Sequence, residues 1–180
     1  MKTDYNVSQK VIHWLMAILI SLDLFVAQKF GNVMEEADRL ESRIDHGSLN
    51  IIVAVLFLIR MYLRFRHGAP ALPTTMPGWQ ILAARFAHAM FYILIGGVIL
   101  SGLATAMNAA YPIALFGVLD ITIGQTNEDT FSFIRQFHEF ATEALIALII
   151  VHLIAAIYHW LISRDRITQR MFKFWQTEKD

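Results

Sequence analysis

The sequence predicts an all-α integral membrane four-helix bundle with both termini on the cytoplasmic side, and three observations predict it. Four apolar segments lie at about residues 9–28, 44–64, 81–106 and 136–162, and the stretches between them hold all four prolines and most of the charge. The composition is 56% hydrophobic and 17% charged with a mean hydropathy of +0.48, against about 25% charged residues in ordinary soluble domains. Lys and Arg also fall unevenly about the four segments.

Crossing the hydrocarbon core takes about 20 mostly apolar residues. The first segment follows Lys10 and runs on without a small-residue cleavage site, so it reads as a retained span rather than a signal peptide. Pro70, Pro73 and Pro77 break the chain before the third span, and Pro112 follows it. Tyr111–Ile123 is apolar apart from Asp120 and is expected to lie along the outer interface as a short helix or hairpin. A soluble bundle would share the four segments, but its surface would be far too apolar. No repeat or low-complexity stretch divides residues 1–180, which read as one membrane domain.

The positive-inside rule sets the orientation. Lys2, Lys10, Arg60, Arg64, Arg66, Arg85, Arg164, Arg166, Arg170, Lys173 and Lys179 fall on one side, against Lys29, Arg39, Arg43 and Arg135 on the other. The expected location is a bacterial inner membrane, crossed several times. The absence of cysteine excludes disulfides, iron–sulfur clusters, thiolate zinc sites and covalent c-type haem. A formal net charge of zero gives nucleic-acid binding no electrostatic basis.

Ionisable groups inside a membrane default to function, and all the histidines except His67 lie in or at the ends of the spans. Neutral imidazole is a common axial ligand for haem iron, and helix bundles build cofactor sites from inward side chains. His138 and His152 are fourteen residues apart on the fourth span. At about 100° and 1.5 Å per residue they share one face and stand about 21 Å apart along the axis. Two haems at opposite depths follow, each needing a second ligand from another helix. His46 opens the second span level with His138. For the partner of His152, spacing offers His13, although His88 and His159 lie nominally closer to the level of His13.

Ile12-His13-Trp14-Leu15, Arg60-x-x-x-Arg64, Ala87-His88 with Tyr92, Phe137-His138-Glu139, Val151-His152-Leu153-Ile154-Ala155-Ala156, His159, Arg164-Asp165 and Arg170-Met171 occur in that order. With these residues the chain resembles the bacterial cytochrome b561 family over roughly residues 4–175. That family is similar to the cytochrome b subunits of nickel–iron hydrogenases and formate dehydrogenases. The resemblance implies two haem b groups, one held by His13 and His152 near the cytoplasmic side and one by His46 and His138 near the outer side. One departure stands out. The family usually reads His-Lys-Ser-Leu-Gly after the span-two ligand, whereas this chain reads His46-Gly47-Ser48-Leu49-Asn50. A glycine one turn from a ligand lets a porphyrin approach the backbone, so packing at the outer haem is expected to differ, and a propionate-binding lysine to be lost.

Other residues carry two readings each. His159 is a candidate quinone contact or an interfacial histidine beside Trp160, and His88 flanks the inner haem or quinone, or bonds a neighbouring helix. Arg60 and Arg64, one turn apart, suit haem propionates or quinone as well as positive-inside charge, and Arg85 is similar. Asp23, Glu139 and Glu143 are proton carriers or hydrogen-bonded helix contacts. Gly96, Gly97 and Gly102 serve close packing or make room for a ring, and His67 is a solvated loop residue.

The expected function is di-haem electron transfer with ubiquinone as substrate. The donor is either superoxide, making the protein a superoxide:ubiquinone oxidoreductase, or a periplasmic or membrane redox partner. Residues 28–45 hold three bases against five acids and residues 106–136 one base against three, a net charge of −2 in each, which repels an anionic donor. The alternative is a haem-bearing anchor and electron-transfer subunit for a dehydrogenase or hydrogenase-like partner. A non-haem proton or metal transporter would place its polar groups at the membrane midplane instead.

Overall fold

A computed structural model describes residues 4–27, 36–124 and 127–173, with the side chains of residues 36 and 37 left out. Lys2, Lys29, Glu35 and Lys179, used above for charge, lie outside those residues. Four long helices make the body: α1 (Val7–Ala27), α2 (Glu36–His67), α3 (Gly78–Met107) and α4 (Glu128–Tyr158), the last continued by a π-helical turn over His159–Ser163. Between α3 and α4 run two short strands, β1 (Ala114–Leu115) and β2 (Leu119–Asp120), and a short α5 (Gln169–Phe172) closes the described chain.

Each helix is long and apolar enough to cross a membrane. The 21 residues of α1, at about 1.5 Å each, match a hydrocarbon core of about 30 Å. The others overrun their apolar stretches for local reasons. α2 starts in the acidic segment before residue 44, and Arg43 there sits 6.0 Å from the centre of the Tyr111 ring. α4 starts at an Asn127 cap whose side chain accepts the Thr130 N–H at 2.8 Å, with Glu128 and Asp129 beside the positive end of the helix dipole. α3 begins directly after Pro77, which has no N–H to leave unpaired, and stops at Asn108, whose side chain bonds the Ala104 carbonyl at 2.8 Å.

α1 packs along α2 and α3 along α4, while α2 and α3 meet less closely and neither α1 nor α2 runs in extended contact with α4. The densest packing joins Met16 of α1 to Leu56 and Phe57 of α2, with Met61, Tyr92 and Ile95 against them. On the outward faces Phe25, Leu58, Phe86, Leu100, Phe140 and Ile154 are exposed. So much contiguous apolar surface is unfavourable in water and natural in lipid.

The two ends of the bundle are built differently. At the terminal end α5 folds back under α1. Lys10, 2% exposed, pairs with Asp4 at 3.0 Å and donates to the Lys173 carbonyl; the Trp14 indole N–H bonds the Met171 carbonyl at 2.9 Å; and Arg170 bonds the Ala71 carbonyl at 2.7 Å. At the opposite end the segment Tyr111–Ile123 is a hairpin, with Ala114 paired to Asp120 and Leu115 to Leu119. Ser48 accepts the Phe116 N–H at 2.8 Å, and Leu115 packs so closely on Gly47 that a Cβ there would sit 3.0 Å from its Cδ2.

Candidate functional site

At the hairpin end, His46 of α2 and His138 of α4 face each other with ring centroids 6.4 Å apart and planes at 80°. The Nδ1 atom of His46 lies 2.8 Å from Oδ1 of Asp23, which is 6% exposed. The other Asp23 oxygen accepts the Asn50 amide at 2.9 Å, and the same amide nitrogen donates to the His46 carbonyl at 2.9 Å. With both its protons used, the Asn50 amide rests against the His46 ring at 3.3–3.4 Å as a packing contact. Asn50, where the resemblance leads one to expect glycine, thus ties His46 and the Asp23 carboxylate together.

His138 is fixed from α3. Ser101 spends its single proton on the Gly97 carbonyl at 2.6 Å, so the 3.0 Å contact with His138 Nδ1 runs from the imidazole to the hydroxyl oxygen. A Cβ on Gly102 would lie 2.9 Å from His138 Cε1; this glycine makes room for the imidazole. Gly96 instead admits Phe57 at 3.7 Å, ordinary helix packing, and Gly97 has nothing within 4 Å. With a proton on each Nδ1, Nε2 is the atom through which His46 and His138 could ligate a metal.

At the terminal end three imidazoles gather. His13 of α1 and His88 of α3 each lie 6.4 Å from His152 of α4 by ring centroid, with planes at 85° and 67°. Phe91 packs edge-on against His152 at 5.3 Å and Trp14 against His13 at 5.5 Å. The Arg60 guanidinium is within electrostatic reach of all three imidazoles, and Arg64 of His88. Beyond the cluster His159 bonds Asp165 through Nδ1. Asp165 also accepts from Ser163 at 2.9 Å and from the Ile167 N–H at 3.1 Å, within a turn whose Arg164 and Arg166 take left-handed φ of 51° and 64°. Burial alone would raise the Asp165 pKa; the bonds from Ile167, His159 and Ser163 outweigh it and hold the carboxyl below its ordinary 3.8.

Of the remaining candidates, Glu139 acts on the hairpin-end pair, through His138. Glu139 makes an exposed pair with Arg135 at 2.9 Å, Glu143 and Arg85 are exposed, and His67 ends α2. Ser101, Asp165 and the buried Lys10 had no place among the sequence candidates. Each acts through a partner that lies on another helix or beyond a helix end, which residue spacing does not display.

The 6.4 Å spacing has a chemical meaning. An ion held between two Nε2 atoms, with metal–nitrogen bonds of about 2 Å, puts the imidazole centroids roughly 6 Å apart. Residues 4–174 match the family described as Prokaryotic cytochrome b561. The chain belongs to the prokaryotic cytochrome b561 family. It is therefore a multi-pass bacterial membrane protein of a family of haem b electron carriers. It is similar to "Cytochrome b561 homolog 1" of Escherichia coli, 24% identical over 93% of this chain and 96% of the relative. It is 26% identical to "Cytochrome b562" of Cereibacter sphaeroides over 94% of this chain and 95% of that one. With "Probable superoxide oxidase CybB" of Yersinia pestis it shares 22% identity over 95% of this chain and 97% of the relative. The paired imidazoles, with the Nδ1 atoms of His46 and His138 bonded to Asp23 and Ser101, fit the haem b that membership of the cytochrome b561 family implies.

Proposed function

We propose that this cytochrome b561 is a di-haem electron carrier of the bacterial inner membrane that exchanges electrons with ubiquinone. One observation carries the reading: two imidazole pairs, each with ring centroids 6.4 Å apart, lie in opposite halves of α4 and would hold an iron between them. His46 and His138 hold one haem, His13 and His152 the other. Both pairs cross from the α1/α2 side of the bundle to the α3/α4 side, where no extended helix contact closes the space. His88 and His152 stand on helices packed directly together, which favours His13 as the residue that would hold the iron with His152.

Bound haem b supplies one-electron carriers at two depths, and the protein residues do the rest. Arg60 and Arg64, beside the terminal-end imidazoles, would pair with the anionic propionates. That end faces the cytoplasm, following the excess of Lys and Arg there. His159, its Nδ1 engaged by Asp165, would take a proton from the cytoplasmic water at Nε2 and, as the imidazolium, pass it to a quinone oxygen on reduction. Single His→Ala variants test the ligand set by haem content: His13, His46, His138 and His152 should each lose haem, and His88→Ala should keep both. Loss of a haem in His88→Ala would reassign the terminal-end pair.

Superoxide is the donor that one relative's printed name suggests, and the acidic hairpin end weighs against carrying it over. A second reading is favoured by the hairpin, whose Phe116, Val118 and Leu119 are exposed, Val118 at 86%. That apolar tip suits docking on a larger dehydrogenase or hydrogenase-like enzyme, with the chain as its haem-bearing anchor. Reduction of the pure chain by superoxide, followed by oxidation with ubiquinone, supports the first donor; reduction only alongside a partner enzyme supports the second.

A further inference from the structure

We propose that Asp23, fixed by Asn50, is a positioning residue for His46 and makes the hairpin-end haem the lower-potential member of the pair. The proposal rests on the reading that His46 ligates iron. Asp23 lies deep in α1, 6% exposed, where a carboxylate is held only by specific partners. Both of its oxygens are engaged: Oδ1 by His46 Nδ1 at 2.8 Å and Oδ2 by the Asn50 amide at 2.9 Å. Asn50 also bonds the His46 carbonyl one helical turn away, so ligand, carboxylate and amide form one closed unit across α1 and α2.

Two effects follow from this unit. A carboxylate that accepts the Nδ1 proton fixes the ring orientation and strengthens the imidazole as a donor through Nε2. Its negative charge, in a low-dielectric setting, also favours the oxidised and more positive iron over the reduced one. The facing imidazole, His138, hydrogen-bonds neutral groups, the Ser101 hydroxyl at its Nδ1 and the Val98 carbonyl, and Glu139 joins Asp23 as a carboxylate that acts on this end. At the other end the Arg60 cation acts on His13 and His152 and favours the reduced state. The protein field therefore slopes along α4 so that an electron entering at the hairpin end runs downhill toward the terminal end.

Redox titration of the haem-loaded protein, with the two haems followed by visible and low-spin ferric EPR signals, tests this. His46→Ala first identifies the hairpin-end signal by removing it. In the native protein that signal should have the lower midpoint potential. Asp23→Asn should keep both haems and shift the hairpin-end reduction equilibrium at least tenfold toward the reduced form, about 59 mV for one electron. The other haem should move less than twofold. Asp23→Ser, which keeps a hydroxyl acceptor without the charge, should do the same and serves if the Asn variant does not assemble. Simple loosening of the site would admit water and move the potential down rather than up. Unchanged or lowered hairpin-end potentials in both variants, or a native hairpin-end haem of higher potential, would overturn the proposal. Retention of both haems in His46→Ala would instead overturn the ligand assignment beneath it.

Discussion

A single methylene separates a working imidazole site from a blocked one at Gly102. A Cβ 2.9 Å from His138 Cε1 leaves the ring no place in its present rotamer. Gly102→Val should cost the hairpin-end haem while the other stays, read as a haem-to-polypeptide ratio halved relative to wild type. Asp165 makes a different prediction, with a defined sign. Its folded pKa lies below the ordinary 3.8, so its stabilising contribution is present above that value and is lost as pH falls through the folded one. Asp165→Asn should lower thermal stability by about 1 kcal/mol at pH 7. The gap to wild type should close in acid, below the normal carboxylate range; a pH-independent gap would show that charge is not the cause. Neither residue's role could be read from the sequence. Gly102 was one of three glycines in span three with nothing to rank them, and only the rotation of α3 against α4 turns it toward His138.

The elements owe their ends to specific contacts rather than to hydropathy. Lys10, 2% exposed, links α1 to Asp4 and to the chain after α5. Lys10→Met removes the donor to Asp4 and to the Lys173 carbonyl, at a cost of about 1–3 kcal/mol. It should speed proteolysis after Arg164 or Arg166 before the helices themselves open. The hairpin depends on Ser48 in the same manner, since its hydroxyl accepts the Phe116 N–H at the positive-φ corner. Ser48→Ala should raise amide exchange across residues 113–121 and leave α2 protected. Apolar runs and prolines locate the spans well, because length against bilayer thickness is a one-dimensional property. They place helix ends poorly: α2 extends through the polar residues before 44, and α4 starts at the Asn127 cap with Glu128 and Asp129 in its first turn. The Tyr111–Ile123 segment was ambiguous in sequence between helix and hairpin, because a short apolar run fits both periodicities.

Across the whole molecule, two helix pairs stand side by side and histidine pairs bridge them. The fourteen-residue interval on α4 could be read from sequence, because a straight helix converts spacing into face and height. The partner of His152 could not. His13 and His88 both reach 6.4 Å from it, and the choice turns on which helices leave room between them. Asp23 and His46 are 23 residues apart on different helices, and no periodicity links them. The result is a membrane protein with an anion beside one imidazole pair and a cation beside the other.

Haem-to-polypeptide stoichiometry of the pure wild-type protein and of His138→Ala and His152→Ala bears on this architecture most directly. Two haems per chain in the wild type, and one remaining in each variant with a different spectrum, is the predicted result. A colourless protein after expression with ample haem, or one haem lost in common to both variants, would contradict it.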